Sequence, residues 1–393
     1  MLIEIHILKN YPPTNLNRDE TGSPKSCFFG GTQRGRISSQ CLKRTWRRSD
    51  NFKELELGIR TQYFPELVAL ELEERGISKE YLEAVKIRVL SFGKKDDKKE
   101  SEKEQNDDEI IESADAKKVK TKQIAFYSKE DVKSVADMFE ELIRDSGSSK
   151  EFAKIKAKDF EAYKKAYFKD NIVKIRPITI DIAMFGRMIT DDSFADVEAS
   201  IQVAHAISTN EVNSESDFFT AVDDLKNQFS TDAGSAMMGD TDFNSSCYYI
   251  YASLDTDQLF DNLKSSPEAL KAAKTLLPVL IETMVFSNPS GKQNSFAGNV
   301  YPGLVCVECK KKKIPISYVN AFEIPIRGNY GRGLTKQSAD MLVQEIDRFD
   351  KKFMIEGTER LWFAHTECSS PKNAIEIESL SELLEKCNAW LTE

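Results

Sequence analysis

Within the stretch FFGGTQRGRISSQCLKRTWRRS, residues Gly31 to Arg48 hold six cations, Arg34, Arg36, Lys43, Arg44, Arg47 and Arg48, in eighteen positions and no Asp or Glu. The whole chain of 393 residues nevertheless has a formal net charge of −9. Positive charge gathered this tightly in an acidic protein suits a ligand that is itself a line of anions. Phosphate and sugar groups are held in this way by Arg and Lys, with Ser hydroxyls and loop N–H groups beside them. Like charges at i,i+4 on a helix are mildly destabilising without a partner, so the cluster asks for one.

A cationic stripe needs a helix to carry it. Ser38 or Ser39 can cap one running through QCLKRTWRRS. Lys43, Arg44, Arg47 and Arg48 then fall within an arc of roughly 140°, with Leu42 and Trp46 together on another side. Ahead of it, LIEIHIL alternates as a strand with Ile3, Ile5 and Ile7 on one buried side and Glu4, His6 and Leu8 on the other, and NYPPTNLNRDETGSPKS reads as a long ordered loop. Residues 51–170 have the apolar spacing of helices. Inside them, at 94–118, 17 of 25 residues are charged and none is aromatic; such a run cannot bury enough surface to offset its chain entropy and is expected to be mobile.

KIRPITIDIAMFGRM returns to strand alternation through Ile178, Ile180 and Ile182. ASIQVAHAIST and SDFFTAVDDL, joined by NEVNSE, are expected to form a long hairpin or arm. CYYIYASLD is a further strand, a helix follows from about Pro267 to Phe286, and NPSGKQNSFAGNVYPG is a polar, Gly-rich loop. LVCVEC is then a strand and TKQSADMLVQEIDRFDKKF a helix. Together the order predicts an α+β protein with helices on one face of an antiparallel sheet.

Other chemistries find less support. Cys306 and Cys309 have half the ligand count of a structural zinc site, and on a strand side chains three apart face opposite ways. Seven cysteines, an odd number, do not make a disulfide framework. His6, His205 and His365 are far apart in sequence. GKQNSFAG begins Gly-Lys but lacks the earlier glycine and the following Ser or Thr of a phosphate-binding P-loop. No signal-peptide pattern is present and no run approaches the roughly 20 apolar residues of a membrane span, so a soluble cytoplasmic protein is expected, without a membrane partner and without a cofactor.

Five blocks in order, HILKNYPPTNLNRDETGSPK, FFGGTQRGRISSQCLKRTWRRS, DIAMFGRM, QVAHAISTN with DFFTAVDDL, and GKQNSFAG, resemble the backbone subunit of the type I-E CRISPR Cascade complex, the CasC family. The resemblance runs from residue 6 to residue 298. It implies a ferredoxin-like, RRM-type palm built from 1–50, a strand in 171–198 and 231–393, a helical fingers insertion at 51–170, and a β-hairpin thumb at 199–230. It also implies a non-enzymatic role: copies polymerise head-to-tail along a CRISPR RNA and present it to target DNA beside other Cascade subunits.

Carried over by position, Arg18 and Lys25 lie against nucleic-acid backbone. Ser38, Ser39, Gln40, Lys43, Arg44 and Arg47 contact RNA phosphates and sugars, and the Gly-rich loop adds Arg34 and Arg36. Arg187 lies near phosphate, Met188 acts as an apolar wedge, Thr220 covers a displaced base, and Lys292, Gln293 and Asn294 add backbone contacts. The alternative is a metal-dependent endoribonuclease using a loop aspartate, with Asp19, Asp181, Asp240 and Asp242 as carboxylates that would have to converge.

Overall fold

The computed structural model describes residues 1–93, 119–169, 177–189, 191–221, 224, 237–328, 331–353 and 355–392. The charged run at 94–118 lies outside them. The chain divides into two units, one of Met1–Glu54, Ile201–Asp257 and Lys274–Glu393, the other of Leu55–Ser200 and Gln258–Ala273.

The first unit is organised by two long strands. β1 (Leu2–Thr14) lies antiparallel beside β9 (Met237–Asp255), from Leu2 opposite Asp255 to Tyr11 opposite Ser246. On its other side runs β10 (Leu304–Lys310), also antiparallel. Beyond β10 come β11 (Thr358–Ala364) and the short β12 (Ile375–Glu376). Beyond β9 come β7 (Ala206–Ser208), β3 (Thr32–Ile37) and the edge strand β2 (Ser26–Phe29). β6 (Ile201–Val203) and β8 (Glu215–Ala221) also pair with β9, which makes a ten-stranded sheet; in the second unit β4 (Ile59–Thr61) and β5 (Ala125–Tyr127) form a separate antiparallel pair. The result is the expected α+β class, with an antiparallel-dominated sheet.

β1 was expected to bury one side, and it buries both. Lys9, on the side of Ile3, Ile5 and Ile7, donates from Nζ to the carbonyls of Val285 and Ser287 at 2.8 and 3.0 Å, closing the C-terminal end of the helix Leu276–Phe286; burial pushes its ammonium down to about 7. The other side carries Glu4 and His6, both fully buried. They survive there because each is partnered. Glu4 accepts from Lys310, from the Tyr251 hydroxyl and from the Ile316 N–H. His6 Nδ1 meets the Tyr249 hydroxyl at 2.8 Å. Leu8 packs on that side with Leu342, Val343 and Ile346 of the helix Leu334–Phe353. Helices therefore cover both faces of the sheet, not one, because Glu4 and one nitrogen of His6 find partners inside the protein; the other, Nε2, is buried without one.

The arm also differs from expectation. Among the described residues, QVAHAIST and DFFTAVDDL do not pair with each other: β6, β7 and β8 each take β9 as partner. The hairpin is β8 with the first part of β9, from Glu215 opposite Phe243 to Ala221 opposite Met237. MMGDTDF, which looks like a turn, is a strand. Its glycine is tolerated because the Phe219 ring lies where a side chain would stand, 2.7 Å from an ideal Gly239 Cβ.

The second unit is mainly helical. Its core joins Phe64, Val68, Val85, Phe92, Tyr127, Phe139, Phe152 and Phe194. IDIAMF, expected as a palm strand, is the helix Ile180–Phe185 and belongs to this unit. All five residues from Ile180 to Met184 are buried, so the run has no exposed side to reveal its period. Asp181 in its first turn accepts from the Gly58 N–H at 2.9 Å and the Thr179 hydroxyl at 2.6 Å, and Gly186, at φ +79°, ends it. No described helix is long and apolar enough to cross a membrane.

Candidate nucleic-acid interface

The basic segment folds as its pattern predicts. Helix α1 (Ser39–Arg47) is capped by Ser38, whose side chain accepts from the Cys41 N–H at 3.3 Å. Leu42 and Trp46 are buried and Arg44 is exposed, while Lys43 and Arg47 are half-buried. Burial pushes the Lys43 ammonium down. Asn17 fixes the helix start to the preceding loop: its side-chain carbonyl accepts from the Ser38 N–H at 2.9 Å, and its backbone carbonyl accepts from the Lys25 N–H at 2.8 Å. Replacing Ser38 by Ala should cost about 1 kcal/mol, read as a lower denaturant midpoint, because an N-cap acceptor is lost.

Loop 17–25 folds over itself. Asp19 accepts from the Thr21 hydroxyl and N–H and from the Ser23 N–H, at 2.7, 2.9 and 3.1 Å, and these bonds, led by the Thr21 hydroxyl, hold its carboxyl below the usual range. The loop, α1 and the segment at Ser290 and Gly291 enclose a cleft of about 550 Å³ whose lining includes Arg18, Arg44 and Cys41 and also Asp19 and Glu20. Gly291 makes the closure possible: a Cβ there would stand 2.3 and 2.7 Å from the carbonyl oxygens of Leu16 and Asn15. Lys292 (φ 51°) and Ala297 (φ 47°), the two non-glycine residues with positive φ among those described, bracket the short helix Gln293–Phe296 beside this cleft. Such backbone is concentrated at functional sites.

Two neighbouring stretches, the loop and α1, thus meet a third from almost 250 residues further along the chain. Further cations lie beyond the cleft. Burial pushes the Cys41 thiol up, while Thr45, Arg44 and Lys25 pull it back. Arg36 donates towards His205 Nδ1 at 2.9 Å, and burial, then Arg36 and Lys25, push that imidazole down. Lys25 sits beside Arg36, whose N–H donates to the Lys25 carbonyl at 2.8 Å, so these two cations form a ribbon that follows the loop from Arg18.

Four of the expected contact residues are engaged within the protein. Arg34 is fully buried. Its guanidinium donates to the carbonyls of Ser208, Thr209, Phe322 and Glu323 at 2.9 to 3.2 Å, so it ties the sheet together and offers nothing to a phosphate. Arg187, also buried, pairs with Asp131 at 2.6 Å and donates to the Ala195 carbonyl. Ser38 is buried and spent on its cap. Gln293 turns inward, its amide donating to the Pro289 carbonyl at 2.9 Å.

Gln40, Asn294 and Thr220 are exposed, and Ser39 and Lys292 are half-buried. Met188 is 78% exposed in the second unit. Sequence reasoning missed Asn17, Gly291 and His205. Gly291 was open to discovery as the glycine of GKQN, whereas His205 acquires its meaning only from Arg36, 169 residues away.

Of the four aspartates, Asp181 is consumed by its own helix, as described above. Asp240 and Asp242 stand on β9 rather than in a turn. Asp242 accepts from the Ser23 hydroxyl at 2.6 Å and from Ser216, so it and Asp19 both lean on Ser23. Among the described residues, no group of three or more His, Cys, Asp or Glu could hold a metal ion.

The fold and the site define an α+β protein with an accessible polar cleft on the sheet-bearing unit, in which Arg18 and Arg44 stand beside Asp19 and Glu20. The chain belongs to the CT1975-like protein family, whose model matches residues 3–387. A solved structure described as "CRISPR RNA-guided surveillance complex, pre-nicking" contains a chain with TM-score 0.79 at 24% identity, covering 100% of both chains. Another, "CRISPR RNA-guided surveillance complex", gives TM-score 0.71 at 21% identity, covering 99% of this chain and 100% of that one. The comparison with curated proteins found no match. The protein therefore shares the fold of chains in CRISPR surveillance complexes.

Proposed function

We propose that this protein is a non-catalytic, guide-RNA-binding backbone subunit of a type I-E Cascade-like complex, in which copies stack head-to-tail along the CRISPR RNA and present its bases to target DNA. The observation that carries the reading is the meeting of Arg18, Arg44 and the Gly291 loop in one cleft, with Lys25, at the end of the loop that bears Arg18, joined backbone to backbone to Arg36 at 2.8 Å. Binding a guide of any sequence calls for contacts to phosphate and sugar, which Arg and Lys side chains can supply. The start of α1 has no acidic residue in its first turn to cancel its positive end.

In this reading the first unit is the ferredoxin-like palm, the second supplies the fingers, and the β8–β9 hairpin is the thumb. Phe218, Met237 and Met238 on that hairpin are each more than half exposed, which suits cover for a base or a neighbouring copy.

The joint lean of Asp19 and Asp242 on Ser23 favours one rival, metal-dependent RNA cleavage. The full chain expressed with a guide should copurify with ribonuclease-sensitive nucleic acid and leave labelled RNA intact in Mg²⁺ or Mn²⁺. Protein free of nucleic acid would end the binding reading. Cleavage that disappears in Asp19→Ala would replace it with the nuclease.

A further inference from the structure

A second cleft, of about 650 Å³, opens in the same unit and includes Asn10, Asn299, Tyr301, Thr335, Lys336 and His365. The segment between Ser287 and Gly303 joins the two: Ser290 and Gly291 line the first cleft, Asn299 to Tyr301 the second. We propose that this second cleft is a further binding site for single-stranded nucleic acid, with Tyr301 as a stacking platform for a base and Lys336 as the partner of an adjacent phosphate.

The parts are held where such a ligand needs them. Tyr301 is 61% exposed, and its ring meets His365 edge-on, with centroids 5.0 Å apart and planes at 89°, so the imidazole orients the phenol. His365 is itself fixed: its N–H and that of Thr366 both donate to the Gly303 carbonyl, at 2.9 and 3.0 Å. Gly303 has a second duty, since a Cβ there would stand 2.2 Å from the Thr335 methyl; only glycine lets the helix bearing Thr335 and Lys336 come so close.

The sequence around the helix start repeats the chemistry of the first ribbon. Residues 324–339 contain Arg327, Arg332 and Lys336 and no Asp or Glu. The one acid lining the cleft is Glu367, 4.0 Å from Lys336 and 97% exposed; an ion pair so open to water yields readily to a phosphate. Amide donors, a hydroxyl, a cation and an upright aromatic ring in one groove suit a nucleotide strand better than an apolar ligand or a metal.

The site stands on its own residues and does not require the guide to lie in the first cleft. Its test uses the full chain as purified with its nucleic acid, titrated by fluorescence anisotropy with labelled dT12 and, separately, rU12. Tyr301→Ala should weaken oligonucleotide binding about 5- to 100-fold, the usual range for losing one base–aromatic stack. Lys336→Gln should weaken it and lower its salt dependence. Both should keep the copurifying nucleic acid and the thermal midpoint.

Binding of dT12, rU12 or both with this dependence supports the proposal, and the comparison of the two names DNA or RNA as the source. Oligonucleotide binding that both variants leave unchanged, or that only Arg18→Ala with Arg44→Ala removes, overturns it. A chain that purifies without nucleic acid yet binds dT12 through Tyr301 and Lys336 would sink the guide-RNA reading and leave this site standing.

Discussion

Lys310→Met should lower the unfolding free energy by about 3–5 kcal/mol, the cost of leaving a buried charge without its partner. Lys310 lies between two fully buried carboxylates, pairing with Glu4 and, at 2.9 Å, with Glu308. Glu308 in turn meets Arg360 at 2.6 Å, and Arg360 spans to Asp350 at 2.8 Å. The chain of charges alternates in sign, and each link supports the next. Burial alone would raise Glu308, but Arg360 foremost, with His6 and Lys310, holds it at about 2. Glu4 is already raised by its burial, with Lys310 as the principal opposing influence.

Without Lys310, Glu4 rises further. A carboxyl whose folded pKa lies above its unfolded value contributes stability at low pH and loses it as pH rises. The gap between variant and parent should therefore be widest above neutrality and narrow towards pH 5. Chemical denaturation at pH 5 and pH 8 measures both numbers. Adding Glu4→Gln to Lys310→Met should recover part of the loss, because the orphaned charge is then gone. A single variant within about 0.5 kcal/mol of the parent at pH 8 would mean that this network holds nothing together, which is the cost expected of an ordinary surface change.

This network also explains what the sequence could not reveal. LIEIHIL announces a strand through Ile3, Ile5 and Ile7, yet Glu4 and His6 look like its wet side until Lys310, Tyr251 and Tyr249 are brought to them from more than 240 residues away. The basic helix was legible because its cap, buried stripe and charged stripe are all local. Arg34 and Arg36 were not separable. They stand two apart on β3, on the same side of the strand, but carbonyls from residues 208, 209, 322 and 323 surround the first while the second reaches the exposed His205. IDIAMF failed for a different reason: burial on every side removes the periodicity from which a helix is read. The cleft itself was half legible, since NLNRDE, the helix and GKQN were each picked out, but their meeting depends on the approach that Gly291 permits.

Arg18→Ala combined with Arg44→Ala should weaken guide-RNA binding about a hundredfold or more, taking charge-assisted hydrogen bonds as worth roughly 1.5–3 kcal/mol each. These two arginines are the sharper choice on α1 and its loop because both are exposed and both line the cleft, so their loss should leave the fold unchanged. The salt dependence discriminates more strongly than affinity. Each phosphate neutralised on a single strand contributes about −0.7 to the slope of log K against log salt, so four to six contacts per subunit give roughly −3 to −4. Removing two should bring the slope up by about 1.4 while the thermal midpoint stays put. A filter-binding series between low and physiological salt gives the slope directly. If affinity falls and the slope does not move, the arginines support the cleft without touching phosphate; if neither changes, the RNA lies elsewhere on the molecule.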